Sequence, residues 1–133
     1  MVCLDTDFLV ALIRKDAKAL KKFEEIIPRP TYIAPKVTPI SATELFEGAF
    51  KTGKQEEIQK VEDLLSILDM LYFDFEASRE AGKLLHKLKK GGEQIGDMDT
   101  MIGAIAIRHG EAILITKNAR HFSKIKEIQV EGW

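Results

Sequence analysis

The chain has 133 residues, a length that favours one domain, 1–133, around one hydrophobic core. Hydrophobic residues make up 45% and charged residues 31%, the balance of a soluble globular protein and not of a disordered one. The formal net charge of -1 argues against a stoichiometric nucleic-acid binder held by a wide basic face. It leaves room for an enzyme that meets phosphate through bound cations, because such ions reverse the local sign.

No apolar run approaches the ~18 residues of a membrane span, and no basic stretch followed by an apolar one opens the chain as a leader would. The single cysteine, Cys3, cannot form an internal disulfide and reads as a core residue beside Leu4. A cytoplasmic location is expected on these grounds.

In chain order, the apolar run 2–4 is a strand ending on Asp5, and a helix over 7–14 buries Phe8, Leu9, Leu12 and Ile13. Asp16 caps a second helix with Ala19, Leu20, Phe23, Ile26 and Ile27 as its inner stripe, and Pro28 and Pro30 end it. A short strand is expected at 37–40. Ser41-x-x-Glu44 reads as a capping box that opens a helix through Leu45, Phe46 and Phe50. Gly53 separates this from an amphipathic helix over 55–68.

A brief strand over 70–73 precedes a long helix capped by Asp74 and closed at Gly91-Gly92. Asp97 and Asp99 then stand at the start of a helix over 100–107 that is apolar almost all round, as a helix packed closely on a sheet should be. The clearest strand is 112–116, a continuous apolar run of the kind found inside parallel sheets. Residues 117–122 form a turn or short helix, and 128–130 an edge strand. Strands alternating with helices give an α/β domain with a mostly parallel central sheet of about four or five strands, flanked by helices on both faces.

Each acid has a structural explanation, because Asp5, Glu44 and Asp99 all lie at expected helix starts, where carboxylates cap free N–H groups. Their joint placement argues for more. Asp5, Glu44, Asp97, Asp99, Thr116 and Asn118 would all sit at the carboxyl edge of one parallel sheet, where α/β folds bind their ligands. Carboxylates gathered there repel one another unless protons or a cation intervene. Oxygen donors without paired Cys or His suit Mg²⁺ or Mn²⁺, and His86, His109 and His121 have no zinc-site spacing with Cys3.

Several stretches together resemble the PIN-domain ribonucleases, in particular the VapC-type toxins. They are Leu4-Asp5-Thr6, Ser41-x-x-Glu44-Leu45 with Gly48, Asp99-x-x-Ile102-x-Ala104-x-Ala106, and Leu114-Ile115-Thr116-x-Asn118-x-x-x-Phe122 with Val130 and Trp133. The resemblance implies metal-dependent endonucleolytic cleavage of RNA, a homodimer, and an antitoxin partner that blocks the site. It assigns Asp5, Glu44 and Asp99 as catalytic, metal-holding residues, supported by Thr6, Thr116 and Asn118; Asp7 and Asp97 are extra acids beside the expected ones and are taken as further supporting residues. Arg14, Lys117, Arg120 and Lys124 are candidates for holding the RNA backbone. The chain departs from the family's pattern where a fourth acid is expected after the last core strand, since Asn118 and His121 stand there. Gly103 also replaces what is often Ala.

Three other readings stay open at this point. Leu4-Asp5-Thr6-Asp7 gives the D-x-D of a haloacid-dehalogenase-type phosphatase, with Asp5 as nucleophile and Asp7 as general acid. Phe8, where that motif carries Gly, and Met101, in place of its last acid, weigh against it. A receiver-like phosphoacceptor would need its Lys on a later strand than Thr116-Lys117 provides. A non-enzymatic α/β binding module would use every acid as a cap.

Overall fold

The computed structural model describes residues 2–27, 33–111 and 113–133. Its frame is set by alternation along two central strands, β1 (Val2–Leu4) and β4 (Ile113–Ile115). They pair in parallel, Cys3 against Leu114 and Leu4 against Ile115. Successive side chains of a strand face opposite ways, so Cys3 and Leu114 enter one core while Leu4 and Ile115 enter another.

The sheet is completed by β2 (Lys36–Val37), β3 (Asp69–Met70) and β5 (Gln129–Glu131), in the order β3-β2-β1-β4-β5 with every pairing parallel. The expectation of four or five strands is met at five. The first core packs α5 (Phe75–Lys90) and α6 (Asp97–Arg108) on one face, through Ala81, Leu84, Ile102 and Ile105. The second packs α1 (Thr6–Ile13), α3 (Pro39–Thr52) and α4 (Gln55–Ser66) on the other, through Phe8, Leu9, Leu45 and Val61. The remaining helices are α2 (Ala17–Ile26) and the short α7 (Ala119–Phe122). No described helix is long and apolar enough to cross a membrane.

Sequential strands run from β1 outward to β3, and the chain then crosses back to place β4 on the other side of β1. The crevice between the carboxyl ends of β1 and β4 is therefore a topological switch point. Asp5 and Thr116, the residues that follow those strands, stand at its two lips.

Several local expectations are corrected. The strand expected at 37–40 is Lys36–Val37, because Thr38 already caps α3 and Pro39 occupies its first turn. Ser41-x-x-Glu44 is consequently no capping box: Thr38 Oγ1 accepts from the Ser41 amide at 3.1 Å, and Ser41 and Glu44 lie inside the helix. Proline at the first helical position is the signal that outranks the box. The strand expected at 70–73 is Asp69–Met70, and the buried helix begins at Asp97, not at Thr100. Leu20, assigned to an inner stripe, is exposed. Pro28, Pro30 and Ala112 lie outside the described residues. Gly103 has a steric reason: a Cβ there would stand 2.7 Å from Ile125 Cδ1 and 3.2 Å from Ile128 Cδ1.

Because Thr38 is fully buried and caps the helix that carries Glu44, Thr38→Val keeps its shape but orphans the Ser41 amide. Urea unfolding is expected to show a loss of about 1–2 kcal/mol.

Candidate metal-dependent active site

Asp5 is the N-cap residue of α1 by backbone position, yet its side chain makes no capping hydrogen bond to the helix. Its carboxylate turns instead to the Thr116 hydroxyl, which donates to Oδ2 at 2.7 Å. Strand pairing sets up this contact, because Leu4 lies opposite Ile115 and the Asp5 amide donates to the Ile115 carbonyl at 3.0 Å. Asp5 is 4% exposed. Burial pushes its carboxyl up to about 7; the Thr116 hydroxyl and the Thr6 amide oppose that shift, while Asp7 and Asp99 add to it.

Thr116 carries one proton, so its shorter contact to Asp5 takes precedence over Asp7 Oδ2 at 3.3 Å. Its oxygen accepts from the Asn118 amide at 2.9 Å. Asp7 Oδ2 accepts from the Lys117 amide at 3.0 Å. Burial raises the Asp7 carboxyl as well, against the pull of the Lys117 and Phe8 amides. Its other oxygen, Oδ1, is buried with no hydrogen-bond partner.

Glu44 reaches the same cavity from α3. Thr6 Oγ1 lies 2.7 Å from Glu44 Oε1 and 2.9 Å from Ser41 Oγ. A carboxylate can only accept, so Thr6 donates to Glu44 and accepts from Ser41. Asp99 arrives from the first turn of α6, where the N-cap is Gly96 and supplies no side chain. Asp99 Oδ2 lies 3.1 Å from Asn118 Nδ2 and 3.0 Å from His121 Nδ1.

Asp5, Thr6, Asp7, Glu44, Asp99, Lys117 and Asn118 thus line one open cavity of about 430 Å³, and Thr116 lies behind them. Asp97 does not join them. Its side chain points outward beside Lys89, at 3.9 Å. Arg14 lines a neighbouring cavity that shares Asp7 and Lys117 with the first and adds Trp133. Neither Arg120 nor Lys124 lines this pair of cavities. His86 is exposed, and His109 ends α6 with Nε2 2.7 Å from the Tyr72 carbonyl. His121 was passed over as a site residue; its signal was its place three residues after Asn118, one helical turn on the same face. Glu111 is not part of the site. It is buried before β4, at the opposite edge of the sheet.

No three Asp, Glu, His or Cys side chains among the described residues form a ready-made metal site, but the chemistry of the donor set suits a hard divalent cation. The cavity offers carboxylate oxygens from four residues, Asp7 Oδ1 is buried without a partner, and the thiol of Cys3 is shut in the core with its ionisation suppressed by burial. Burial makes Asp5 and Asp7 costly as free anions, a cost that a bound cation would relieve.

The same cost yields a stability prediction for metal-free protein. Asp5 ionises near pH 4 when unfolded but only at about 7 when folded. The folded state therefore holds a proton that the unfolded state has lost, and stability falls as pH rises from about 4 through 7. The loss is on the order of a few kcal/mol. Denaturation curves in EDTA should show it, and Asp5→Asn should flatten the slope and raise stability at pH 8.

Comparison with known proteins agrees with this architecture. The family model of the PIN domain matches residues 2–128. Ribonuclease VapC1 of Haemophilus influenzae is 29% identical over 132 residues, 98% of this chain and 96% of that protein. The tRNA(fMet)-specific endonuclease VapC of Salmonella typhimurium is 31% identical over 98 residues, 73% of this chain and 74% of that one. Among solved structures, VapBC2 from Rickettsia felis bound to a DNA fragment from its promoter superposes with a TM-score of 0.87 at 26% identity, covering 100% of this chain and 99% of the other. The chain belongs to the PIN-domain family, in its VapC branch.

Proposed function

We propose that this protein is an endoribonuclease that uses Mg²⁺ or Mn²⁺ to hydrolyse RNA phosphodiesters, acting in the cytoplasm as the toxin of a toxin–antitoxin pair. The observation that carries the reading is the convergence of Asp5, Glu44 and Asp99 on one cavity at the switch point, with none of the three engaged as a helix cap. The non-enzymatic reading needs those acids to be caps. Family membership removes the haloacid-dehalogenase and receiver readings.

In this reading Asp5 and Asp99 would hold the ion, and Asp7 and Glu44 line the same cavity and could complete its shell. A bound divalent ion neutralises the phosphate under attack and lowers the pKa of water. Glu44, with Oε1 fixed by Thr6, orients the attacking water and takes its proton. Thr116 keeps the Asp5 carboxylate aimed into the cavity, and the Lys117 amide does the same for Asp7. The Lys117 ammonium, 4.7 Å over the Trp133 ring, and Arg14 lie along the neighbouring cavity and are assigned to the RNA backbone. Arg120 and Lys124 are assigned a more distant backbone contact.

The antitoxin is proposed from the company this fold keeps, since the similar solved structures are VapBC assemblies. A homodimer is proposed through the α3–α4 pair, which leaves Phe50 exposed on its surface and Ile67 exposed just after α4.

Labelled single-stranded RNA should be cleaved with Mg²⁺ or Mn²⁺ and left intact in EDTA. Asp99→Asn should lower the rate by about 100-fold or more, with an unchanged circular dichroism spectrum. RNA left whole by folded, metal-loaded protein across varied sequences would sink the nuclease reading.

A further inference from the structure

Asp99 Oδ2, Asn118 Nδ2 and His121 Nδ1 form a triangle with edges of 3.1, 2.9 and 3.0 Å. Hydrogen bonds cannot satisfy all three edges. If Asn118 and a protonated His121 Nδ1 both donate to the carboxylate, two donor nitrogens are pressed to 2.9 Å. If His121 Nδ1 accepts from Asn118 instead, its lone pair faces that of Asp99 at 3.0 Å. One edge is repulsive in either case.

A cation removes the conflict. A half-turn of the Asn118 amide exchanges its nitrogen for its oxygen at nearly the same place, leaving three lone pairs that converge. Neighbouring ligands of an octahedral ion stand about 2.8–3.0 Å apart for the roughly 2.0–2.1 Å bonds of Mg²⁺, and slightly farther apart for the longer bonds of Mn²⁺. Around a tetrahedral zinc they stand about 3.3–3.4 Å apart. The observed edges fit a face of the octahedron and are too short for the tetrahedron. Asp99 and His121 keep 23% and 43% side-chain exposure, so an ion can reach them without unfolding the site.

We propose that His121 Nδ1 is a direct ligand, with Asp99 Oδ2 and the Asn118 side-chain oxygen, of a six-coordinate divalent ion, and that this nitrogen makes the site select Mn²⁺ over Mg²⁺. Magnesium holds oxygen donors and gives up water reluctantly, whereas an imidazole nitrogen favours first-row transition ions. The proposal rests on the acid cluster being a divalent-ion site, and it stands apart from whether RNA is the substrate.

The test uses the full chain loaded with Mn²⁺ and reads binding, not turnover. Pulsed electron paramagnetic resonance should detect nitrogen hyperfine coupling of a bound imidazole, absent from His121→Ala. Calorimetry should give a Mn²⁺ affinity at least ten times that for Mg²⁺. His121→Asp, which replaces nitrogen by oxygen, should keep Mg²⁺ binding and shrink that ratio several-fold, with its fold checked by circular dichroism. Absence of nitrogen coupling in the wild type, or its persistence in His121→Ala, would overturn the proposal, as would a Mn²⁺-to-Mg²⁺ ratio unmoved in folded His121→Asp. RNA cleavage assayed in parallel separates the two readings: a lost nitrogen signal with intact cleavage removes only the ligand, and a nitrogen signal without cleavage removes only the nuclease.

Discussion

The hydroxyl of Thr116 is the contact on which the site depends. It is buried, it donates its one proton to Asp5, and it accepts from the Asn118 amide, so its hydrogen is committed and its oxygen is held from a second side. Its position is not adjustable. The Thr116 amide is held by the Glu131 carbonyl, and Asp5 is held by the Ile115 carbonyl, so both residues are extensions of the sheet's own ladder. A carboxylate this buried repels its neighbours and resists ionisation. The sheet supplies the rigidity to hold it there, and the two cores, which sandwich the sheet through Leu4 and Ile115 on one side and Cys3 and Leu114 on the other, supply the stability.

The remaining acids are placed by helices, and each helix can offer only part of its first turns to the crevice. Asp97 and Asp99 show the rule. Residues two apart on an α-helix are separated by about 200° around its axis, so a helix that turns Asp99 toward Asn118 turns Asp97 out to Lys89. Asp5 and Asp7 escape the rule because Asp5 is still in extended backbone while Asp7 is helical. A pattern of acid-x-acid therefore means two site residues at a strand end and one inside a helix.

That difference also explains what could be read in advance. The strand–helix alternation, the parallel sheet and the gathering of Asp5, Glu44, Asp99, Thr116 and Asn118 follow from apolar runs that end on polar residues, a signal that needs no knowledge of side-chain direction. Boundaries were harder. Thr38-Pro39 and Ser41-x-x-Glu44 are both good helix openings, and the proline at the first helical position, with Thr38 buried after β2, selects the first. Asp97 could not be told from Asp99 because the helix start, and with it the rotation, was three residues out. His121 was noticed only as a missing acid. Its contact with Asp99 depends on α7 packing against α6, which local pattern does not encode.

Substituting a neutral donor for a carboxylate at that position changes the balance of the site. Asn118 and His121 contribute lone pairs and no obligatory negative charge, so they add donors beside Asp5, Asp7, Glu44 and Asp99 with less mutual repulsion than a fifth acid would bring. Asp5 is already pushed toward its neutral form by burial and by Asp7 and Asp99. A further anion beside Asp99 would push in the same direction. The Asn–His pair lies against Asp99 Oδ2 and leaves the local charge to be set by Asp5, Asp7, Glu44 and Asp99. A nearly neutral chain can then present a strongly negative pocket to a cation, with Lys117 and Arg14 alongside for the polyanion that follows it.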